Sequence, residues 1–185
     1  MAKTKNKSKA KTNRKAIIVA GGRKFGNYKL ACKEIRKFAK KLGVPLDNLE
    51  IVCGMALGAD NMGRCFAMEF LDGRVVEMPA DWKNLDAKPC LIKYNKYEEP
   101  YNALAGTNRN EDMANVPNVV GCLCFWDGKS PGTQDMMTRA VKRRRTMQLK
   151  VVYYDKKFKK CKPPKSGKPK KSLFSKSGRS QKHIR

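Results

Sequence analysis

The chain has 185 residues, 41% of them hydrophobic, which suits one domain with a substantial core. Its net charge of +26 is uneven: residues 1–15 carry seven Lys/Arg, residues 156–185 carry thirteen, and neither segment has an acid, so all 16 acids share residues 16–155 with the other 22 bases. No 18-residue apolar stretch exists, which excludes a membrane-spanning helix.

In chain order, residues 1–15 read as a basic tail containing Lys3, Lys5, Lys7, Lys9, Lys11, Arg14 and Lys15. It has neither the apolar run of a secretory signal nor the Arg-rich amphipathic stripe of a transit peptide. AIIVA (16–20) is a short β-branched run, followed by GGRKFG. Residues 28–42 place Ala31, Ile35, Phe38, Ala39 and Leu42 on one helical face, and Gly43 and Pro45 end it. LEIVC (49–53) is a second strand, then GMALGAD and a helix through Met62, Phe66 and Phe70 to Gly73. RVVEM (74–78) is a third strand, ending in PADW.

Residues 83–104 break this alternation with three tyrosines, two prolines and mixed charge, and read as a long functional loop or small subdomain. A helix near 106–115, a strand over 118–125, a helix over 131–147 and a strand over 149–154 complete the series. Almost wholly apolar strands alternating with helices specify a parallel sheet covered on both faces. The expected fold is therefore α/β: a Rossmann-like parallel five-stranded sheet over residues 16–155 with helices on both faces, flanked by disordered basic tails. The C-terminal tail, 156–185, includes Lys168, Lys170 and Lys171. Both tails lack the apolar residues for a core and suit salt-dependent, sequence-blind contact with RNA or DNA phosphates. Leu173-Phe174 is the sole adjacent pair of bulky apolar residues there, which disfavours a membrane surface.

Cysteines stand at 32, 53, 65, 90, 122, 124 and 161, an odd number with no CxxC pair, and the lone histidine is His183 in the tail. This reads as free thiols in a reducing, cytoplasmic compartment, with neither a disulfide framework nor a metal site.

Three strand-to-helix turns are rich in glycine: Gly21-Gly22 with Gly26, Gly54 with Gly58, and Gly128 with Gly132. In an open parallel sheet all three emerge at the carboxyl edge, where ligands bind. Glycine lets backbone approach a ligand there, and N–H groups at a helix start attract anions. In FWDGKSPGTQD, Ser130 suits the N-cap and Pro131 the first helical position, leaving Gly132 and Thr133 to offer N–H groups and a hydroxyl. Asp60 is the corresponding cap after Gly58, and its carboxylate also suits a ribose hydroxyl. Arg23 and Arg109 supply charge. None of the turns matches GxxxxGK[ST] or a strict GxGxxG, which argues against an ATPase or an ordinary dehydrogenase.

The ordered motifs IVAGGRKF, VCGMALGAD, MPADW, AGTNRNEDM and FWDGKSPGT resemble the YspA/cpYpsA-related branch of the SLOG superfamily over residues 16–153. The resemblance implies a carboxyl-edge pocket for a nucleotide or nucleotide-derived ligand such as ADP-ribose or an NAD-like molecule, and possible homo-oligomers. On that pattern Gly21, Gly22, Arg23, Gly54, Gly58, Asp60, Arg109, Asn110, Ser130, Gly132 and Thr133 line the pocket. Two departures stand out: Gly22 replaces a common serine, and the 83–104 loop is longer. That loop suits a cap, with Tyr94, Tyr97 and Tyr101 either stacking on a base or packing internally.

Superfamily members that hydrolyse nucleoside monophosphates carry PGGxGTxxE, whereas GTQDM puts Met136 at the glutamate position. Asp60, Asp81, Asp127 and Asp135 remain candidate acids or bases for N-glycosidic cleavage. The reading favoured is a binding module for a nucleotide-like small molecule, with basic tails on nucleic acid. The alternatives are an N-glycosidic hydrolase or NAD-processing enzyme in the same pocket, and a nucleic-acid-associated protein with the fold as scaffold.

Overall fold

The computed structural model describes residues 14–143, 145–155 and 157. Lys3, Lys5, Lys7, Lys9, Lys11, Lys168, Lys170, Lys171, Cys161 and His183, with the disorder and nucleic-acid contact expected of the tails, lie outside the described residues. Lys15 is a correction: it opens the first strand and pairs with Leu49, so the boundary expected after residue 15 falls inside the sheet.

The elements follow in the order β1 (Lys15–Gly21), α1 (Tyr28–Lys41), β2 (Leu49–Cys53), α2 (Ala59–Phe70), β3 (Val75–Glu77), β4 (Ile92–Tyr94), β5 (Pro100–Asn102), α3 (Ala105–Asn115), β6 (Val119–Trp126), α4 (Pro131–Lys142) and β7 (Gln148–Tyr153). The main sheet has the order β3-β2-β1-β6-β7, parallel throughout. This is the Rossmann-like α/β arrangement that the pattern specifies.

Residue alternation along β1 divides the core into two layers. Ile17 and Val19 pack with Ile35, Phe38, Phe66 and Ala67 of α1 and α2. Ala16, Ile18 and Ala20 pack with Met113, Ala114, Met136 and Ala140 of α3 and α4. A strand buried on both faces needs apolar residues at every position, which is why β1 and β6 read as unbroken apolar runs. Asn27 caps α1, its Oδ1 accepting the Leu30 N–H at 2.9 Å, and Gly43 at φ +67° ends that helix region.

Two elements differ from expectation. Residues 83–104 contain a β4–β5 hairpin, which pairs Lys93 with Tyr101 and stands apart from the main sheet. Helix α4 stops at Lys142 instead of 147, because the Arg143 carbonyl accepts the N–H groups of Thr146 and Met147 in a turn that returns the chain to β7.

Strand order reverses between β1 and β6: from β1 the chain moves one way to β2, while β6 pairs on the other side. Crevices form at the carboxyl ends of strands that part this way. Gly21 pairs with Phe125, and the Gly22 N–H donates to the Phe125 carbonyl at 3.1 Å, so the two exits are tied together just below that crevice.

Candidate ligand-binding cleft

At this switch point lies a cleft of ≈ 490 Å³, within the size range of small-molecule sites. Nine of the eleven expected residues line it: Gly21, Gly22, Arg23, Asp60, Arg109, Asn110, Ser130, Gly132 and Thr133. Gly54 lines an adjoining smaller cleft. Gly58 lines neither; its place is structural. At φ +79°, a Cβ there would collide with the Gly22 carbonyl and the Arg23 backbone, so glycine is what lets the first two loops pack against each other.

The α4 wall follows local chemistry. Asp127 Oδ1 accepts the N–H groups of Lys129 and Ser130, both at 2.9 Å, which shapes the turn. Ser130 is the N-cap and Pro131 the first helical residue; Ser130 Oγ accepts from Thr133 N at 3.5 Å and Thr133 Oγ1 at 3.0 Å. The Thr133 hydroxyl is thus held by the cap. Space beside Gly132 is open, with nothing within 4 Å of a Cβ built there.

The floor is different in kind. Asp60 is not a cap; Gly58 occupies that position and Asp60 is the second residue of α2. A glycine cap has no side chain to accept an N–H, and the Asp60 carboxylate instead turns back to accept Gly54 N–H at 3.1 Å. Burial pushes its carboxyl up to about 6, against the opposing pull of Arg109 and of backbone N–H groups. Arg109 Nη1 lies 3.7 Å from Asp60 and donates to the Gly54 and Met78 carbonyls, while Nε donates to Asn110 Oδ1 at 3.2 Å. Asn110 Nδ2 in turn donates to Gly132 O at 3.2 Å and Asp135 Oδ2 at 2.9 Å. Two residues expected to hold a ligand therefore hold the cleft's own walls together.

Arg23 and Lys24 differ from Arg109. Both are exposed on the cleft rim, and neither forms an ion pair with the described residues. No family model, curated protein or solved structure matches this chain. The resemblance to the SLOG branch therefore rests on the five motifs, four of whose turns converge on this one cleft or its smaller neighbour.

The other candidate carboxylates are placed as follows. Asp135 is held by Asn110 and by Arg139 Nε at 2.9 Å. Asp81 accepts Lys83 N–H at 3.2 Å and lines neither cleft. Met136, which the resemblance sets at the hydrolases' glutamate position, is buried and forms part of the cleft wall. Among the described residues, no group of three His, Cys, Asp or Glu is placed to hold a metal ion.

The loop tyrosines do not face the cleft. Tyr94 and Tyr97 are 68% and 70% exposed toward the end of the β4–β5 hairpin, and Tyr101 packs beside Trp82 with ring centroids 6.5 Å apart. Trp82 is the aromatic residue that lines both clefts. MPADW made it visible in the sequence, but a tryptophan just after a strand gives no sign of which way it turns. Tyr154 lines the main cleft as well, with no sign of it in the sequence: its hydroxyl lies where a Gly22 Cβ would stand, and burial raises its pKa to about 12. It comes from just beyond β7, far from any glycine-rich turn.

Proposed function

We propose that this protein binds a nucleotide or nucleotide-derived ligand, of the ADP-ribose or NAD-like class, in the carboxyl-edge cleft. The observation that carries the reading is the pairing of Arg23, a rim cation without an ion-pair partner among the described residues, with the open start of α4 at Ser130–Gly132 across one ≈ 490 Å³ cleft. A cation and a helix N-terminus facing one volume suit a phosphate. On the five motifs the chain is assigned to the YspA/cpYpsA-related SLOG branch. The test is a thermal-shift screen against ADP-ribose, NAD, cyclic nucleotides and nucleoside monophosphates. At least one should stabilise the wild type, and Arg23→Ala or Gly132→Asp should abolish that shift. A wild type that no nucleotide stabilises refutes the reading.

A second activity concerns the basic ends. Twenty of the 42 Lys/Arg lie in residues 1–15 and 156–185, with no acid among them, a charge pattern suited to RNA or DNA phosphates. Removing both segments should eliminate salt-sensitive nucleic-acid binding; retained binding would count against them.

Hydrolysis of an N-glycosidic bond is the enzymatic alternative. Asp60, the buried carboxyl raised to about 6, is the observation in its favour. Its position under Arg109 and the Gly54 N–H, with Met136 where a glutamate stands in the hydrolases, favours binding. Product analysis with NAD and nucleoside monophosphates separates the two.

A further inference from the structure

Beside the main cleft is a second one of ≈ 230 Å³, lined by Met55, Leu57, Pro79, Ala80 and Trp82, with Arg23, Ala56, Trp82 and Arg109 common to both. It is too small for a whole drug-sized ligand but has room for a planar ring. We infer that this side cleft is the seat of the ligand's heteroaromatic ring, with the indole of Trp82 as its stacking surface. The inference rests on the nucleotide reading of the main cleft and adds to it the placement of the base.

Three observations carry it. The first is chemical: loop tips at the carboxyl edge are usually polar, yet Met55, Leu57 and Trp82 are 39%, 75% and 41% exposed around this one concavity. Large apolar side chains gathered at a surface recess mark a binding groove.

The second is preorganisation. The Trp82 carbonyl accepts the Asn102 N–H at 2.9 Å, Tyr101 packs beside the indole, and the indole edge lies 3.5 Å from where a Gly106 Cβ would stand at the start of α3. The ring is therefore fixed by β5 and α3 and need not be ordered by the ligand. Met55, which lines the same recess, adopts φ 59° in the loop after β2, a conformation costly for a residue with a side chain.

The third is continuity. Arg23 borders both volumes, so the cation that suits a phosphate is within reach of the recess that suits a ring. Arg109, the other shared cation, is occupied by the Gly54 and Met78 carbonyls and by Asp60. The side cleft thus offers mainly apolar surface, which favours stacking over edge recognition and fits a purine as well as a nicotinamide ring.

The test compares AMP with ribose 5-phosphate by titration calorimetry on the full chain. AMP should bind the wild type more tightly. Trp82→Ala should weaken AMP by about tenfold or more while changing ribose 5-phosphate by less than about twofold, and Trp82→Phe should restore most of the loss. Leu57→Ser, at a largely exposed position that leaves the core intact, should act in the same sense as Trp82→Ala and serves where that variant fails to fold. If AMP gains nothing over ribose 5-phosphate, or if the variants weaken both alike, the side-cleft assignment falls and the nucleotide reading stands. If neither probe binds and the nucleotide screen is also blank, the nucleotide reading falls and this inference falls with it.

Discussion

Arg109 on α3 faces Asp60 on α2 at 3.7 Å, and its guanidinium also bonds the carbonyls of Gly54 and Met78. One side chain therefore joins the ends of β2 and β3 to two helices on opposite faces of the sheet. Removing one partner of a buried ion pair leaves the other charge uncompensated, at a cost of about 3–5 kcal/mol. Arg109→Met should lower urea-unfolding stability by that order. Arg23→Ala, at the exposed rim, should change it by less than about 0.5 kcal/mol while removing nucleotide-induced stabilisation. Equal losses of stability in the two variants would contradict the division between a structural and a ligand-facing arginine.

Asp60 also makes a pH prediction. Burial raises its carboxyl to about 6 in the folded chain, whereas an unfolded aspartate titrates near about 3.9. Between those values the folded state keeps a proton that the unfolded state has released, so this group's contribution to stability falls as pH rises through the window. Over about pH 4 to 7 the change is on the order of 3 kcal/mol. Asp60→Asn cannot titrate, so the wild type should lose stability relative to it across that range. A wild-type-minus-variant difference in urea unfolding that stays flat with pH would contradict the assignment.

How much of this was legible beforehand follows from the range of each signal. The five strands and the two-sided core are local apolar patterns, and Ile17 with Ile18 alone shows that both faces of β1 are buried. The Ser130–Pro131 cap is local too. By contrast, the roles of Arg109 and Asn110 depend on partners 55 and 22 residues away, Gly54 and Gly132. A motif shows such residues to be in the right place without showing whether they face a ligand or the protein. Tyr154 and Trp82 enter the cleft from beyond β7 and from the loop after β3, and no spacing rule places either.

Asn110 tests the first of those long-range roles. It is buried, and its amide bonds Gly132 O at 3.2 Å and Asp135 Oδ2 at 2.9 Å, locking α3 onto the first turn of α4. Asn110→Ala removes two hydrogen bonds, while Gly132 is exposed and Asp135 keeps Arg139, so the cost is the net worth of those bonds, about 0.5–1.5 kcal/mol each. Stability should fall by that order, and nucleotide affinity should fall with it because Gly132 is no longer held. Unfolding and calorimetry on the same preparation check both; full stability with intact affinity would rule out the locking role.

Gly22 and Tyr154 form a coupled pair. A Cβ at residue 22 would collide with the Tyr154 hydroxyl, and Tyr154 is itself buried against Phe25, ring centroids 5.0 Å apart. The ring has little freedom to retreat, so Gly22→Ala should cost about 1–3 kcal/mol through overpacking. Tyr154→Phe removes the obstructing oxygen and keeps the ring. In that background the penalty for Gly22→Ala should shrink by about 1 kcal/mol or more, a coupling readable in a double-mutant cycle of urea unfolding. Strict additivity would mean that the hydroxyl does not account for glycine at position 22. Coupling would mean that the residue after β1 and the residue after β7 are chosen together, with the tyrosine oxygen occupying space at the cleft that a larger residue 22 would claim.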